Sequence, residues 1–310
     1  MRQDQLYGLV TFICVAEHKS FSTAAVQLGM SPSAVSQSIR NLERRLGATL
    51  FNRTTRSISL TEAGSRYLER IAPAVRELTA ASEQLADEST GRPSGLLRLN
   101  VPRSGFMIVM QPILRDFLDT HPEITLEISI ENSLVDIVAL GFDAGIRFGD
   151  RVDSDMVAVR IGPPKTAHIV ASPEYFSRRG IPQHPRDLLE HDCIGFRHVT
   201  SGQIERWGFE KDGEAFELAV DGRLIINDSS ALVQAALDGI GVAYMTNGYI
   251  ERFIDAGRLR RVLPDWSPDL PGLTLYYPDR RRVPSKLRAL IDFLRERYSD
   301  HPPNVDGSIS

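Results

Sequence analysis

Between Ser20 and Gly47 the sequence is punctuated so tightly that only short, closely coupled helices can form. Ser20 precedes an apolar run at helical spacing, Phe21, Ala24, Ala25 and Leu28, which Gly29 ends. Ser31 and Pro32 then supply an N-cap followed by proline at the first helical position. The helix they open carries Val35, Ile39, Leu42 and Leu46 on its inward face before Gly47 stops it. Upstream, Leu6, Leu9, Val10, Ile13 and Ala16 repeat at the same spacing. Downstream, Leu50 and Phe51, a polar basic tip from Asn52 to Arg56, and the alternation of Ile58 and Leu60 predict a two-stranded hairpin. Residues 1–61 therefore read as a helix-turn-helix followed by a wing.

The third helix divides by chemistry. With Val35, Ile39 and Leu42 inward, Ser33, Ser36, Gln37 and Arg40 share the other side with Pro32 at its start. Short polar groups of this kind reach base edges in a major groove, and a glutamine amide can pair with adenine through two hydrogen bonds. Ser22 and Thr23, in the first turn of the preceding helix, can present a backbone N–H to a phosphate, and Arg53 and Arg56 at the hairpin tip can meet phosphate or the minor groove. Charge points the same way. Residues 1–60 hold seven basic side chains against three acidic ones, a balance of +4, which leaves −8 for the rest of a chain whose formal net charge is −4. The plain alternative is a solvated helix whose serines cap and whose arginines keep it soluble.

Residues 62–90 carry another pattern. Leu68, Ile71, Val75, Leu78 and Leu85 follow at steps of three, four, three and seven, a heptad seam with Ser82 in one core place, which predicts pairing with a second chain. Pro73 falls on the outer face, where it costs a backbone bond without blocking the seam. An amphipathic helix packed on its own domain is the competing reading.

At 310 residues the chain is about twice a usual domain, and the hinge-like Gly91-Arg92-Pro93-Ser94-Gly95 marks a boundary. Beyond it, strands are predicted at Leu97–Val101, Ile124–Ile130, Ala144–Phe148, Ala167–Ala171, Leu224–Ile226, Gly241–Met245 and Leu273–Tyr277, separated mostly by helical stretches. Alternation of this kind predicts parallel sheets covered by helices. Trp207 to Phe209 and Phe216 to Val220 flank Asp212-Gly213, a hairpin signal. Residues 301–310 are polar and expected to fray.

The run FSTAAVQLGMSPSAVSQSIRNLERRLGATLFNRTTRSISLTEAG resembles the N-terminal DNA-binding segment of LysR-type transcriptional regulators. The marks are Ser20-Phe21, Ala24-Ala25, Leu28, Ser31, Val35-Ser36, Ile39, Leu42-Glu43, Leu46-Gly47, Leu50-Phe51, Arg53, Arg56 and Leu60-Thr61-Glu62-Ala63-Gly64. Gly141-Phe142-Asp143 with Ile146-Arg147-Phe148-Gly149, Ala171-Ser172-Pro173 with Tyr175, and Gly239-Ile240-Gly241-Val242 look like a common branch of that family. The resemblance implies an α/β protein in three parts: a winged helix-turn-helix over 1–61, a dimerising linker helix over 62–90, and over 91–300 a two-subdomain α/β effector-binding domain of periplasmic-binding-protein type. Its first subdomain would span about 94–165 and 266–300, its second about 166–265. Implied partners are double-stranded promoter DNA, a small-molecule effector, a second copy in a homodimer, further copies in a homotetramer, and RNA polymerase as a further candidate.

In such a domain the effector sits in the cleft between subdomains. Ser104 follows the first strand, Ser133 the second, and Arg147 ends the third; Asn227 and Ser229 open a helix in the other half. Arg147 could clamp an anion such as a carboxylate, and Phe196 or Trp207 could cover an apolar body. The plain readings are N-capping serines and an arginine paired internally with Asp143 or Asp150.

Other chemistries find little footing. Cys14 and Cys193 lie far apart, which argues against a disulfide, and the cluster His184, His191, Cys193 and His198 fits no closed zinc pattern. The chain contains no G-x-S-x-G elbow, no G-x-x-x-x-G-K phosphate loop and no H-E-x-x-H, so no enzyme and no cofactor are expected. Without a membrane-length apolar run or a secretory leader, the cytoplasm is the expected compartment. Two rivals stand beside the regulator: a solute-binding or enzymatic α/β protein whose basic N-terminal module only mediates assembly, and a DNA-bridging protein without an effector.

Overall fold

The computed structural model describes residues 7–53, 58–90, 92–149, 155–162, 165–278 and 283–298, with side chains of α4 given only in part. It divides into a first unit that runs to Gly91 and also takes in Val138–Gly141, and a second made of the rest of the chain from Arg92.

The first unit packs α1 (Leu9–His18), α2 (Phe21–Gln27) and α3 (Pro32–Leu46) around one core. Ser20 Oγ accepts the Thr23 N–H and Ser31 Oγ the Ala34 N–H, each at 3.2 Å. Each serine thus satisfies a donor that the helix start leaves unpaired and fixes where the helix begins. Gly47, in the left-handed region at φ 68°, closes α3. Phe12, Ala24, Val35, Ile39 and Leu42 are wholly buried and meet Phe51 of the wing. The wing pairs β1 (Phe51–Arg53) antiparallel with β2 (Ile58–Leu60). Glu43 ties it to α3 by accepting the Leu50 and Phe51 N–H groups at 2.9 and 3.3 Å.

The long helix α4 (Glu62–Thr90) begins on the wing. Thr61 Oγ1 accepts the Gly64 N–H at 2.9 Å and donates to Thr49 O at 2.7 Å. A Cβ on Gly64 would lie 2.1 Å from Leu50 O, so the close approach of helix and wing backbone requires glycine. Ala72 is buried in the winged-helix core, and Leu68, Ile71 and Val75 lie half-buried against it. The first half of the heptad seam therefore packs, at least in part, on its own domain, as the competing amphipathic reading has it. Leu78, one turn on, is 56% exposed, Pro73 is exposed, and Leu85 lies outside the described side chains. Among the described residues no helix is long and apolar enough to cross a membrane.

The second unit has two lobes. The chain builds β3 (Gly95–Val101), the short α5 (Arg103–Gly105) running into a π-turn over Phe106–Met110, α6 (Leu114–Thr120), β4 (Ile124–Ile130), β5 (Ala144–Phe148) and β6 (Met156–Ile161). It then crosses to the second lobe: β7 (Lys165–Ala171), α7 (Pro173–Arg179), β8 (Gly195–Phe196), β9 (Trp207–Lys211), β10 (Glu214–Leu218), β11 (Ile225–Ile226), α8 (Ser229–Leu237), β12 (Ala243–Thr246), α9 (Glu251–Asp255), β13 (Arg260–Val262) and β14 (Asp269–Leu270). It returns as β15 (Leu273–Pro278) and α10 (Ser285–Tyr298).

The first sheet has the order β4-β3-β5-β15-β6, with β3 parallel to β4 and β5 but β15 antiparallel to both its neighbours. In the second, β7 is flanked by β12 and β13 and also pairs β14, all antiparallel. The expectation of parallel sheets is thus corrected. A parallel crossover constrains consecutive strands of one sheet, whereas β15 arrives from the other lobe and can enter in either direction. Strands β6 and β13 were not anticipated; β13, Arg260-Arg261-Val262, is short and charged and carries no apolar alternation. The Asp212-Gly213 turn does join β9 to β10, with φ of 52° and 83° at its two central residues, the primed geometry that twists with the strands.

Candidate functional site

On the solvent side of α3, Pro32, Ser33, Gln37 and Arg40 are exposed and Ser36 is half-buried; Ser22 and Thr23 are exposed at the start of α2. Ser33 Oγ meets the capping Ser31 Oγ at 2.9 Å, and Thr23 Oγ1 donates to Ser20 Oγ at 3.0 Å. Gln37 stands in a ladder along the helix: Arg40 donates to its Oε1 at 2.8 Å, its Nε2 donates to Asn41 Oδ1 at 3.0 Å, and Arg44 donates to the same Asn41 oxygen at 3.3 Å. The spacings of three and four place these groups on one helix face. Both amide atoms that an adenine would use are thus occupied by neighbours at the surface, exposed Arg40 and half-buried Asn41, and can be exchanged at little cost. Sequence reasoning missed Asn41, although its position four residues after Gln37 was the available signal. Arg53 lies in β1 with its side chain outside the described set, and Arg56 lies outside the described residues.

In the second unit a cavity of about 420 Å³ opens between the lobes, a volume suited to a small metabolite. Of the residues singled out in the sequence, Ser104, Arg147, Phe196 and Ser229 line it, with Met107, Ile108, Phe148, Leu232 and Tyr249 as apolar surface. Three expected residues stand elsewhere. Ser133 offers its backbone carbonyl to Arg147 at 2.9 Å, and its neighbours Asn132 and Leu134 face the cavity instead. Asn227 is exposed on the rim, where its carbonyl accepts from Asn132 at 2.8 Å. Trp207 is 1% exposed inside the second lobe and stacks on Tyr244 with ring centroids 5.5 Å apart. It cannot cover a ligand, and Tyr244 is the aromatic ring that lines the wall.

Arg147 donates to Ile146 O at 2.7 Å, to Ser133 O at 2.9 Å and to Asn100 Oδ1. All three partners are neutral. Burial lowers its pKa, opposed by Tyr276 and Glu131 at longer range. The anticipated internal ion pair with Asp143 is absent among the described residues: that carboxylate accepts the Arg98 N–H at 2.9 Å, and Asp150 lies outside them.

The same cavity is lined from the other lobe by Glu205, which sequence reasoning missed. Its N–H donates to Phe196 O at 2.8 Å, and burial pushes its carboxyl up to about 7, no cation being close enough to oppose the shift. Nothing local marks this glutamate. Its burial comes from Phe196 and Tyr244, which only the folded lobe brings beside it.

The lobes touch along the cleft rim. Arg103 Nε donates to Asp228 Oδ2 at 3.2 Å, and the Leu134 N–H donates to Thr200 Oγ1 at 2.7 Å. Asp228 is the N-cap of α8, taking the Ser230 and Ala231 N–H groups at 3.0 Å on its other oxygen. Burial would raise its pKa, but the hydrogen bonds from Ser230, Ala231 and Arg103 outweigh that and hold it below the usual range. A carboxylate at this cap offsets the positive helix end.

Among the described residues no cluster could hold a metal ion. His184 caps a turn by accepting the Arg186 N–H at 3.2 Å, and His191 Nδ1 meets the Tyr175 hydroxyl at 3.2 Å. Both cysteines are free and buried, and burial pushes the Cys193 thiol up to about 12, far from the thiolate a redox switch needs.

Comparison with known proteins agrees with this arrangement. Residues 6–65 match the family of bacterial regulatory helix-turn-helix proteins of lysR type, and residues 90–299 match the LysR substrate binding domain. The regulator YcaN of Escherichia coli K12 is 44% identical over 92% of this chain and 93% of its own length; PgrR of the same organism is 40% identical over 95% and 98%. Among solved structures, the Vibrio cholerae virulence activator AphB covers 96% of this chain and all of its own at 26% identity and a TM-score of 0.62. CrgA of Neisseria meningitidis covers 94% and 98% at 28% identity and a TM-score of 0.61.

Proposed function

Because the chain belongs to the LysR family of DNA-binding transcriptional regulators, with a substrate-binding domain behind its helix-turn-helix, we propose that its promoter binding is controlled by a small molecule held between the lobes. In this reading α3 enters the major groove. Gln37 exchanges its Arg40 and Asn41 bonds for an adenine edge, Pro32, Ser33, Ser36 and Arg40 flank it, and Ser22, Thr23, Arg53 and Arg56 hold phosphate or the minor groove. The far half of α4, from Leu78 to Leu85, pairs two chains so that two recognition helices meet the two halves of a dyad-related site, and paired dimers form a tetramer. The protein acts in the cytoplasm and performs no chemistry. Effector binding shifts the balance between conformations of the assembly and so bends or relaxes the DNA.

The observation that carries the reading is the exposed ladder on α3, polar groups presented by a helix whose opposite face is the core of the unit. It is tested by competition binding to the intergenic DNA beside the protein's own gene. Gln37→Ala should lower discrimination between that fragment and a scrambled one by about 2 kcal/mol. Wild-type protein that binds both fragments equally at moderate salt would overturn the proposal.

A further inference from the structure

The cleft presents a basic and an acidic side chain that no described residue pairs with an opposite charge at contact distance, and they stand on opposite lobes. Arg147, on the first, has only carbonyl and amide oxygens around its guanidinium, and its Nε is buried without a partner. Glu205, on the second, lines the same cavity with its carboxyl in no hydrogen bond or ion pair among the described residues. The wall of the same cavity also carries apolar surface from Met107, Ile108, Phe148 and Leu232. Burying an ionised group is costly unless a partner arrives, so a cavity that holds an arginine and a glutamate without counter-charges at contact distance is complementary to a molecule carrying both signs.

We infer that the effector is a zwitterion of amino-acid or short-peptide type, its carboxylate on Arg147, its ammonium on Glu205, and an apolar body across the middle of the cleft. This rests on the effector reading above and narrows it from an acid to an amphoteric molecule. Because burial holds the empty-cleft Glu205 carboxyl at about 7, an ammonium seated there displaces its proton to solvent, and binding tightens as pH rises from 6 to 8. The other titratable groups lining that lobe's wall are Tyr244, whose hydroxyl donates to Gly208 O at 3.3 Å, Tyr249 and His198. Tyr244, pushed up to about 12, stays neutral throughout this range.

The full-length chain is titrated at pH 6, 7 and 8 with pools of L-amino acids and of leucine- and phenylalanine-containing dipeptides. Each pool is also offered N-acetylated and as carboxamides, beside hexanoate and phenylpropionate as plain acids. Melting temperature reports binding by mass action, and calorimetry in buffers of different ionisation enthalpy reports the proton. The free pools should bind at least about tenfold more tightly than either blocked form, with proton release at pH 6 to 7. Glu205→Gln should bind free and N-acetylated pools alike and release no proton. N-acetylated pools or plain acids that bind the wild type as tightly as the free pools overturn the zwitterion while leaving an acid-binding cleft in place. If neither the pools nor the plain acids bind, both the zwitterion and the effector reading fall.

Discussion

The polar face of α3 and the cleft between the lobes solve opposite problems with polar side chains. On α3 the groups lie within a few residues of one another, stand in water, and pair among themselves through Arg40, Gln37, Asn41 and Arg44. Exchanging such bonds for bonds to DNA costs little, and the protein loses no stability by displaying them. In the cleft, Arg147 and Glu205 come from different lobes, are partly dehydrated, and have no counter-charge at contact distance, so the protonation of Glu205 and the stability of the fold depend on what fills the space. A surface that meets a charged polymer can be built outward on one helix. A site that must capture a small molecule has to be dry, and dryness couples binding to folding.

That contrast can be broken at three points. The largest effect is expected from Ile39→Ala in the core beneath α3, which should cost the first unit about 4 kcal/mol. Calorimetry should show its transition moving down while ligand binding in the cleft survives. A single transition that carries both units together would contradict their independence.

Next comes the pH dependence of the cleft. Glu205 has an ordinary pKa of 4.5 when exposed and about 7 when folded. The native state therefore holds the extra proton in this window, and wild-type stability should fall as pH rises from about 4.5 to about 7, by a total on the order of 3 kcal/mol, then level off. Urea unfolding at pH 5 and pH 8 should give Glu205→Gln a smaller difference than wild type; equal slopes would mean that the carboxyl is solvated. The smallest effect belongs to Ser31→Ala, which removes the cap of α3 and should cost about 1 kcal/mol of stability without changing the preferred base sequence. Altered base preference in a DNA-selection experiment would show that Ser31 reads bases rather than caps.

The recognition helix was legible because its determinants are local. Ser31, Pro32 and Gly47 set its ends, and Val35, Ile39 and Leu42 set its inward face, within one short stretch of chain. The same locality made the Asp212-Gly213 turn readable. The heptad positions of α4 were also plain, yet their apolar spacing is equally satisfied by the winged-helix core, and packing assigned Leu68, Ile71 and Val75 at least partly to that core. Trp207 shows the same gap from the other side: an aromatic residue near the cleft in sequence is sealed inside the lobe by Tyr244.

By itself, then, the order of residues determined the winged helix, its caps, its outward chemistry and the succession of strands and helices behind it, since each follows from interactions a few residues apart. Tertiary structure decided the antiparallel strands, the neutral setting of Arg147, and the isolation of Glu205. These depend on dehydration and on partners that lie tens of residues away along the chain, and neither quantity is written in any local pattern.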